Sequence, residues 1–298
     1  YYIMSIVDKL KENRPNLSES SLKTYKSILT NLYKKIIPND KEIDINKFSS
    51  QYKKFLSFLN SYDSSKRKTY LSALSVLCPK IDAYRELMNQ DGKKYNEEQK
   101  NQEKTEKQKE NWIEQDELTK IFKDLEMEAM KLYKLKNHSM TDIQKIQNYI
   151  ILCLVSGIFI NIRRSLDWTE MKIKDFKEDE DNYFKKDTFT FNKYKTARFK
   201  QFGEQTVKLP KELLKIIKKW IKLNPTDYLL FDSQKNKLSP TKLTQRLNKI
   251  LGKKASVNIL RHSFLSDKYK NLPSLIELEE EAKEMGHSLK EHLEYIKK

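Results

Sequence analysis

Glycine and proline are scarce in this 298-residue chain, which contains 5 and 7 of them respectively. So low a content disfavours a loop-rich all-β protein and favours a helical one. Neither of the glycine-rich nucleotide-binding motifs, G-x-G-x-x-G and G-x-x-x-x-G-K-[ST], occurs in the sequence. These absences argue against a dinucleotide-binding enzyme and against a P-loop NTPase.

Cysteine and long hydrophobic runs are also lacking. Cys78 and Cys153 are the only two cysteines, and both lie in apolar, helix-like stretches. Two cysteines do not form a disulfide framework, and they suggest a reducing compartment. The longest apolar run, from Tyr149 to Ile160, is too short to span a bilayer. The chain start lacks the pattern of a signal peptide. We therefore expect an intracellular protein, in the cytoplasm or in a host nucleus.

Positive charge, in contrast, is abundant. Lys and Arg number 59 against 42 Asp and Glu, which gives a formal net charge of +17. This excess points to a polyanionic partner, with nucleic acid the leading candidate and a membrane surface the weaker one. No amphipathic helix with concentrated lysines supports the membrane alternative. Alternatively, the positive charge reflects only a compositional bias toward lysine and asparagine, as in an AT-rich genome, and indicates no partner.

The hydrophobic pattern divides the chain into two predicted domains. Apolar residues recur at helical spacing near 22–36, 48–59 and 64–77, which predicts a helical domain over residues 1–88. Residues 89–111 have almost no apolar side chains, so we interpret them as a polar linker or the solvated end of a helix. The second domain is predicted to span residues 112–298.

One stretch of the second domain has the pattern of β-structure. Thr188-Phe189-Thr190-Phe191 and the segment from Gln205 to Leu209 flank a basic loop, which predicts a hairpin or small sheet. Helical spacing resumes at 211–223, and Ser239-Pro240 is a typical helix start. The predicted fold class is mainly α with a small β-hairpin or sheet.

Four segments contain candidate functional residues, and each has a purely structural alternative. The first segment places an arginine near Asp167, and taken alone this pair is more simply interpreted as a surface ion pair. The second is the basic loop, whose cations Lys193, Arg198 and Lys200 we predict to contact DNA. The third places Arg261 on the apolar side of a helix, where an arginine is uncommon without a partner anion. The fourth joins Gly286-His287 to a tyrosine eight residues later, at position 295.

Together these segments resemble the motifs of the tyrosine recombinases, the phage-type integrases. The first arginine motif resembles Arg164-Ser165-Leu166-Asp167, and this register favours Arg164 over Arg163. The resemblance implies six catalytic positions, which are Arg164, Lys195, Asn258, Arg261, His287 and Tyr295. It also implies that Asp167 supports Arg164 from outside the site. It covers about residues 112–298, and the helices of residues 1–88 resemble the family's core-binding domain more loosely.

The resemblance implies a site-specific recombinase or integrase that needs neither metal nor cofactor. Tyr295 would attack a DNA phosphate to form a 3′-phosphotyrosine, and Lys195 would act as general acid. The partner would be double-stranded DNA, bound by a dimer at each site and by a tetramer in the synapse. The composition fits a virus or another mobile element.

Two departures from the family pattern keep alternatives open. Asn258 stands where the family usually has a histidine, and asparagine can hydrogen-bond a phosphate oxygen but cannot act as a base. Only three residues follow Tyr295, whereas many relatives continue with a further helix. The alternatives are a type IB DNA topoisomerase and a DNA-binding relative with impaired catalysis.

Overall fold

We analysed a computed structural model that describes residues 5–195, 197, 203–285 and 289, although the side chains of residues 99, 283 and 284 are not described. The described chain divides into two compact units. The first contains residues 5–103 together with the described residues from 273 onward, and the second contains residues 104–272. The sequence instead predicts one domain over residues 1–88 and a second over residues 112–298, joined by a polar linker over residues 89–111.

The described part of the first unit is helical. Buried Leu10, Leu29, Phe48, Phe55 and Leu74 form the centre of its core. Side-chain caps fix where its helices begin: the Asp63 carboxylate, for example, accepts a hydrogen bond from the backbone N–H of Lys66. Its helices are α1 (Ile6–Asn13), α2 (Glu19–Ile36), α3 (Asn46–Ser50), α4 (Tyr52–Leu59), α5 (Ser64–Leu77), α6 (Asp82–Lys100) and α14 (Leu275–Glu284).

The polar stretch of residues 89–111 contains the last turns of α6 and the short helix α7 (Glu106–Asn111). One ion pair explains how such a polar sequence packs. Arg67 donates two hydrogen bonds, of 2.8 and 2.7 Å, to the buried carboxylate of Asp91. The last turns of the helix are therefore held to α5 by a paired charge, whereas its earlier turns pack into the core through Tyr84, Leu87 and Met88.

The second unit is built around α9 (Met140–Val155), whose C-terminal half is buried. From Tyr149 to Val155 every residue of α9 is buried, which explains the apolar run in the sequence. Around it lie α7, α8 (Gln115–Leu132), α10 (Ser165–Thr169), α11 (Lys211–Leu223), α12 (Pro240–Leu251) and α13 (Val257–Lys268). Ser239 caps α12 and Pro240 opens it, as predicted. Cys78 in the first unit and Cys153 in α9 are both buried and free.

A four-stranded sheet completes the second unit, in the order β1-β2-β3-β4. Its strands are β1 (Met171–Lys172), β2 (Asn182–Lys185), β3 (Thr188–Phe191) and β4 (Gln205–Lys208). β1 pairs with β2 in parallel, and the other two pairings are antiparallel. The β3–β4 ladder runs from Thr188 opposite Lys208 to Phe191 opposite Gln205. This pairing confirms the predicted hairpin.

Among the residues that the structure describes, no helix is both long enough and apolar enough to cross a membrane.

The turn after α9 depends on Gly157, which has a φ of +86°. A Cβ at this position would lie 2.3 Å from a ring carbon of Phe264 on α13. We expect Gly157→Ala to lower the free energy of unfolding by about 1–3 kcal/mol, because the ring and the backbone must both shift. Denaturant unfolding measures this loss.

Gly252 provides the matched control, since it also has a positive φ but an added Cβ there would meet open space. Gly252→Ala should lower the free energy of unfolding by about 1–2 kcal/mol, from backbone strain alone. A Gly157→Ala variant no less stable than Gly252→Ala would show that Phe264 does not need this close approach.

Candidate phosphate-binding site

Three arginines and one aspartate of the second unit form a compact group, which we call the arginine cluster: Arg163, Arg164, Asp167 and Arg261. Arg163 and Arg164 immediately precede α10, Asp167 lies within it, and Arg261 lies in α13. All three guanidinium groups act electrostatically on the Asp167 carboxylate. The fold thus gathers residues that are almost a hundred positions apart in sequence.

Arg163 is the arginine that pairs with the carboxylate. Its Nε donates to Oδ2 of Asp167 at 2.8 Å, and one terminal nitrogen donates to Oε1 of Gln205 at 2.8 Å. The guanidinium also lies 3.9 Å from the ring centroid of Phe191. This differs from the expectation that Asp167 stands behind Arg164. The reason is local: Arg163 lies four residues before Asp167, about one helical turn, whereas Arg164 is the N-cap residue of α10.

Asp167 is buried, and only one of its carboxylate oxygens has a hydrogen-bond partner. Oδ1 has none in the part of the chain that the structure describes. Burial raises the pKa of Asp167, and the neighbouring Arg163 only partly opposes this rise. A buried carboxylate with one free oxygen is well suited to hold an additional guanidinium.

Arg164 and Arg261 carry charges that their own surroundings do not neutralise. Arg164 is exposed, and no ion pair or hydrogen bond joins its side chain to the described residues. Burial lowers the pKa of the half-buried Arg261, and repulsion from Arg164 lowers it further. Two such cations beside a single carboxylate favour the binding of an anion. The planar guanidinium group matches the oxygens of a phosphate particularly well.

Asn258 lies on α13 three residues before Arg261, hence on the same face of the helix, and it is exposed. The opposite side of α13 holds the helix in place. There the buried Ser263 hydroxyl donates to the carbonyl of Ile113 and accepts a hydrogen bond from the Gln115 side chain at 3.1 Å. The fold therefore fixes α13 by one face and leaves the other face, with Asn258, open to a ligand.

The basic loop between β3 and β4 brings Lys195 to the surface, with its side chain exposed. The start of the loop is held by the buried Asn182 of β2. Its amide oxygen accepts hydrogen bonds from the backbone N–H groups of Asn192 and Lys193. The Tyr194 hydroxyl donates to the carbonyl of Gly203 at 2.6 Å and so joins the two arms of the loop.

Lys193, one of the predicted DNA contacts, has a carboxylate partner. Its ammonium group lies 2.8 Å from Oδ1 of Asp181, whose other oxygen contacts Lys172 at 2.9 Å. Burial opposes ionisation of Asp181, but the hydrogen bonds from Lys193, from the backbone of Lys177 and from Lys172 outweigh it and lower the pKa of this carboxyl. Lys193 therefore shares a single carboxylate with Lys172, which neutralises its charge only in part.

Four predicted site residues, Arg198, Lys200, His287 and Tyr295, lie outside the described residues. Conversely, sequence reasoning missed Gln205 and Asn182, which fix the second and first arms of the basic loop. Neither residue has a local signal, because a single Gln or Asn in a strand predicts nothing about a partner many positions away. Within the described ranges, no group of three or more His, Cys, Asp or Glu residues is placed to hold a metal ion.

Comparison with solved structures finds similar folds. A lambda integrase dimer bound to a COC′ core site matches with a TM-score of 0.50 and 13% sequence identity, over 96% of this chain and 75% of that chain. A lambda integrase (75-356) dimer bound to a COC′ core site matches with a TM-score of 0.49 and 14% identity, over 96% and 92% of the two chains. XerH site-specific recombinase bound to palindromic difH substrate matches with a TM-score of 0.45 and 18% identity, over 97% and 80%.

By sequence, neither a family model nor a curated protein matches the chain. The likeness to the first of these structures shows the fold, which is mostly helical with a small four-stranded sheet.

Proposed function

We propose that this chain is a tyrosine recombinase, an enzyme that cleaves and rejoins DNA strands at specific sites. The observation that carries this proposal is the pair of unneutralised arginines, Arg164 and Arg261, beside the half-satisfied carboxylate of Asp167. This arrangement suits a phosphodiester. The shared fold and the net charge of +17 support the proposal.

In the proposed reaction the two arginines bind the non-bridging oxygens of the scissile phosphate. As the phosphorus becomes five-coordinate these oxygens gain negative charge, and fixed cations stabilise that state more than the ground state. The negative charge of the buried Asp167 carboxylate acts electrostatically on both arginines. Asn258, on the same face of α13 as Arg261, donates a hydrogen bond to the same phosphate.

The nucleophile of the proposed reaction is Tyr295, and His287 hydrogen-bonds the phosphate. The tyrosine hydroxyl gives its proton to water, and its oxygen forms a bond to phosphorus while the bond to the 5′-oxygen breaks. The Lys195 ammonium group donates a proton to that leaving oxygen. The phosphotyrosine retains the energy of the broken bond. A second 5′-hydroxyl reverses the steps, so the exchange consumes no ATP.

The partner of this reaction is duplex DNA, and the proposed assembly is a dimer at each site and a tetramer in the synapse. We propose that the helices of residues 1–88 also contact the duplex. The cationic residues of the basic loop, Lys193, Arg198 and Lys200, are assigned to the DNA backbone, although the pairing of Lys193 with Asp181 makes it the weakest of the three. A viral or mobile-element origin fits the composition.

The decisive experiment captures the covalent intermediate. The chain is incubated with nicked duplexes that tile the DNA flanking its gene, since a nick near the cleavage site lets a short strand diffuse away and traps the adduct. A protein–DNA adduct that resists denaturation and carries the DNA by its 3′ phosphate supports the proposal. No adduct on any duplex, with binding intact, would favour the impaired DNA-binding relative. Relaxation of a supercoiled plasmid by monomeric protein would favour the topoisomerase.

DNA affinity should depend strongly on salt. Each phosphate neutralised by a lysine or arginine releases counterions, so the logarithm of the binding constant should fall with the logarithm of salt concentration by about 0.9 per phosphate. We expect a slope of several units in a fluorescence-anisotropy titration. A slope near zero would contradict the electrostatic interpretation of the net charge.

Replacement of Asn258 tests whether this position only hydrogen-bonds the phosphate. Asn258→Ala should raise the barrier to adduct formation by about 1–3 kcal/mol, a smaller loss than that of Arg261→Ala. Asn258→His should remain active and add a group that titrates near neutral pH. An inactive histidine variant would show that the pocket differs here from the family pattern.

A further inference from the structure

Arg163 connects two parts of the second unit that are distant in sequence. It precedes α10, beside Arg164, and its guanidinium donates a 2.8 Å hydrogen bond from Nε to Asp167 and another of 2.8 Å from a terminal nitrogen to Gln205. Gln205 is the first residue of β4 and closes the basic loop. We call this pair of hydrogen bonds the Arg163 bridge.

The bridge is held rigidly by its surroundings. The guanidinium of Arg163 is stacked 3.9 Å from the ring centroid of Phe191, the residue paired with Gln205 across the β3–β4 ladder. Its side chain is only 19% exposed, and the Asp167 side chain only 5%. The Nε–H and one terminal nitrogen of Arg163 are therefore already engaged, and the Phe191 ring covers one face of the guanidinium.

The bridge also limits where Lys195 can lie. Tyr194, the residue before it, donates to the carbonyl of Gly203, and Gly203 is two residues before Gln205. On the other arm, Asn182 holds the backbone at Asn192 and Lys193. Both ends of the loop are thus tied to the sheet, and the Arg163 bridge ties the sheet to the start of α10.

We propose that Arg163 is a positioning residue that, through Gln205, fixes the loop bearing Lys195 relative to Arg164 and Arg261. The inference rests on the proposed function, because it assigns Lys195 the role of general acid. It assigns Arg163 no contact with the phosphate. Loss of the bridge should therefore impair the delivery of the proton to the leaving oxygen and leave phosphate binding intact.

The test breaks the bridge at its less buried end. Gln205→Ala removes the acceptor and keeps the Arg163–Asp167 pair, whereas Gln205→Glu keeps an acceptor. Thr206→Ala is the matched control, since Thr206 is exposed in the same strand and its side chain has no hydrogen bond within the described chain. The rate of adduct formation is measured for each variant on a nicked duplex.

Two substrates separate proton delivery from phosphate binding. In one the leaving atom is the normal 5′-oxygen, and in the other it is sulfur, which departs as a thiolate and needs no general acid because thiols are far stronger acids than alcohols. On the oxygen substrate we expect Gln205→Ala to be at least about tenfold slower than wild type, part of the hundredfold or more that a general acid contributes. Gln205→Glu and Thr206→Ala should stay within about threefold of wild type.

On the sulfur substrate the rate of Gln205→Ala should return to that of wild type, as should the rate of Lys195→Ala, whereas Arg164→Ala should remain slow. Wild-type speed of Gln205→Ala on the oxygen substrate would overturn the inference. The inference would also be overturned if Gln205→Ala remained slow on the sulfur substrate while Lys195→Ala reached the wild-type rate there.

Failure of the proposed function is distinguishable from failure of this inference. If wild type forms no adduct on either substrate, the proposed function fails. The bridge is then tested without activity, by unfolding Arg163→Lys, Gln205→Ala and the double variant. If the bridge exists, the double variant loses less stability than the sum of the two single losses. Additive losses would overturn the inference whatever the enzyme activity.

Discussion

Replacing Tyr295 with phenylalanine should abolish the covalent protein–DNA adduct and leave DNA affinity nearly unchanged. The substitution removes one oxygen, the atom that we propose attacks the phosphorus. A phenol has an ordinary pKa near 10, so at neutral pH the attacking oxygen needs a site that stabilises its negative charge. Arg164 and Arg261 provide that charge stabilisation. The measurement is adduct formation on a nicked duplex under denaturing conditions, with binding followed in parallel by anisotropy.

Tyr269 is the control for this prediction, because it is an exposed tyrosine at the C-terminal end of α13. Tyr269→Phe should form the adduct at the wild-type rate. An adduct that persists in Tyr295→Phe, or that mass spectrometry maps to Tyr269, would overturn the assignment of the nucleophile. The two-arginine phosphate site would still stand, since it depends on α10 and α13 and not on the identity of the tyrosine.

Removing either phosphate-binding arginine should cost most of the cleavage activity. We expect Arg164→Ala and Arg261→Ala each to slow adduct formation by about a hundredfold or more, the loss typical of one donor that stabilises transition-state charge. Duplex binding should stay within about tenfold, because many other cations contact the DNA backbone. Single-turnover cleavage with saturating protein measures the loss independently of binding.

The neighbouring Arg163 makes this experiment a test of sequence register. Arg163→Lys retains a positive charge and one contact to Asp167, and it should lose less cleavage activity than Arg164→Ala. If Arg164→Ala cleaves at the wild-type rate while Arg163→Lys is inactive, the register of the first arginine motif is displaced by one residue. If neither arginine matters, the phosphate site is assigned to the wrong place.

The secondary structure of the second unit could be predicted because its signals are local. The alternation of Thr188-Phe189-Thr190-Phe191 predicts a strand with both rings on one face, and these two buried rings pack against Trp168. The start of α12 follows from Ser239-Pro240, which combines a side-chain cap with a residue that fits only the first turn. Such signals need no knowledge of the rest of the chain.

The contacts of the candidate site could be predicted only in part. The sequence brings Arg163 and Arg164 equally close to Asp167, and which of them pairs with it depends on where α10 begins. Gln205 has no sequence signal at all, because its partner lies 42 positions away. The packing of the later turns of α6 was likewise hidden, since there it depends on the pair formed by Arg67 and Asp91 and not on apolar spacing.

The hydrogen bonds that Asn182 accepts from the first arm of the basic loop have a practical consequence for engineering this chain. Asn182 fixes where the loop leaves β3, and the pairing of Phe191 with Gln205 fixes where the chain re-enters the sheet. Residues inserted between these two points do not change the register of any strand, and lengthening a loop costs little entropy. The segment between Lys195 and Gly203 can therefore be exchanged as a cassette that leaves the proposed general acid in place, so that loops of different length and charge can be compared on one unchanged scaffold.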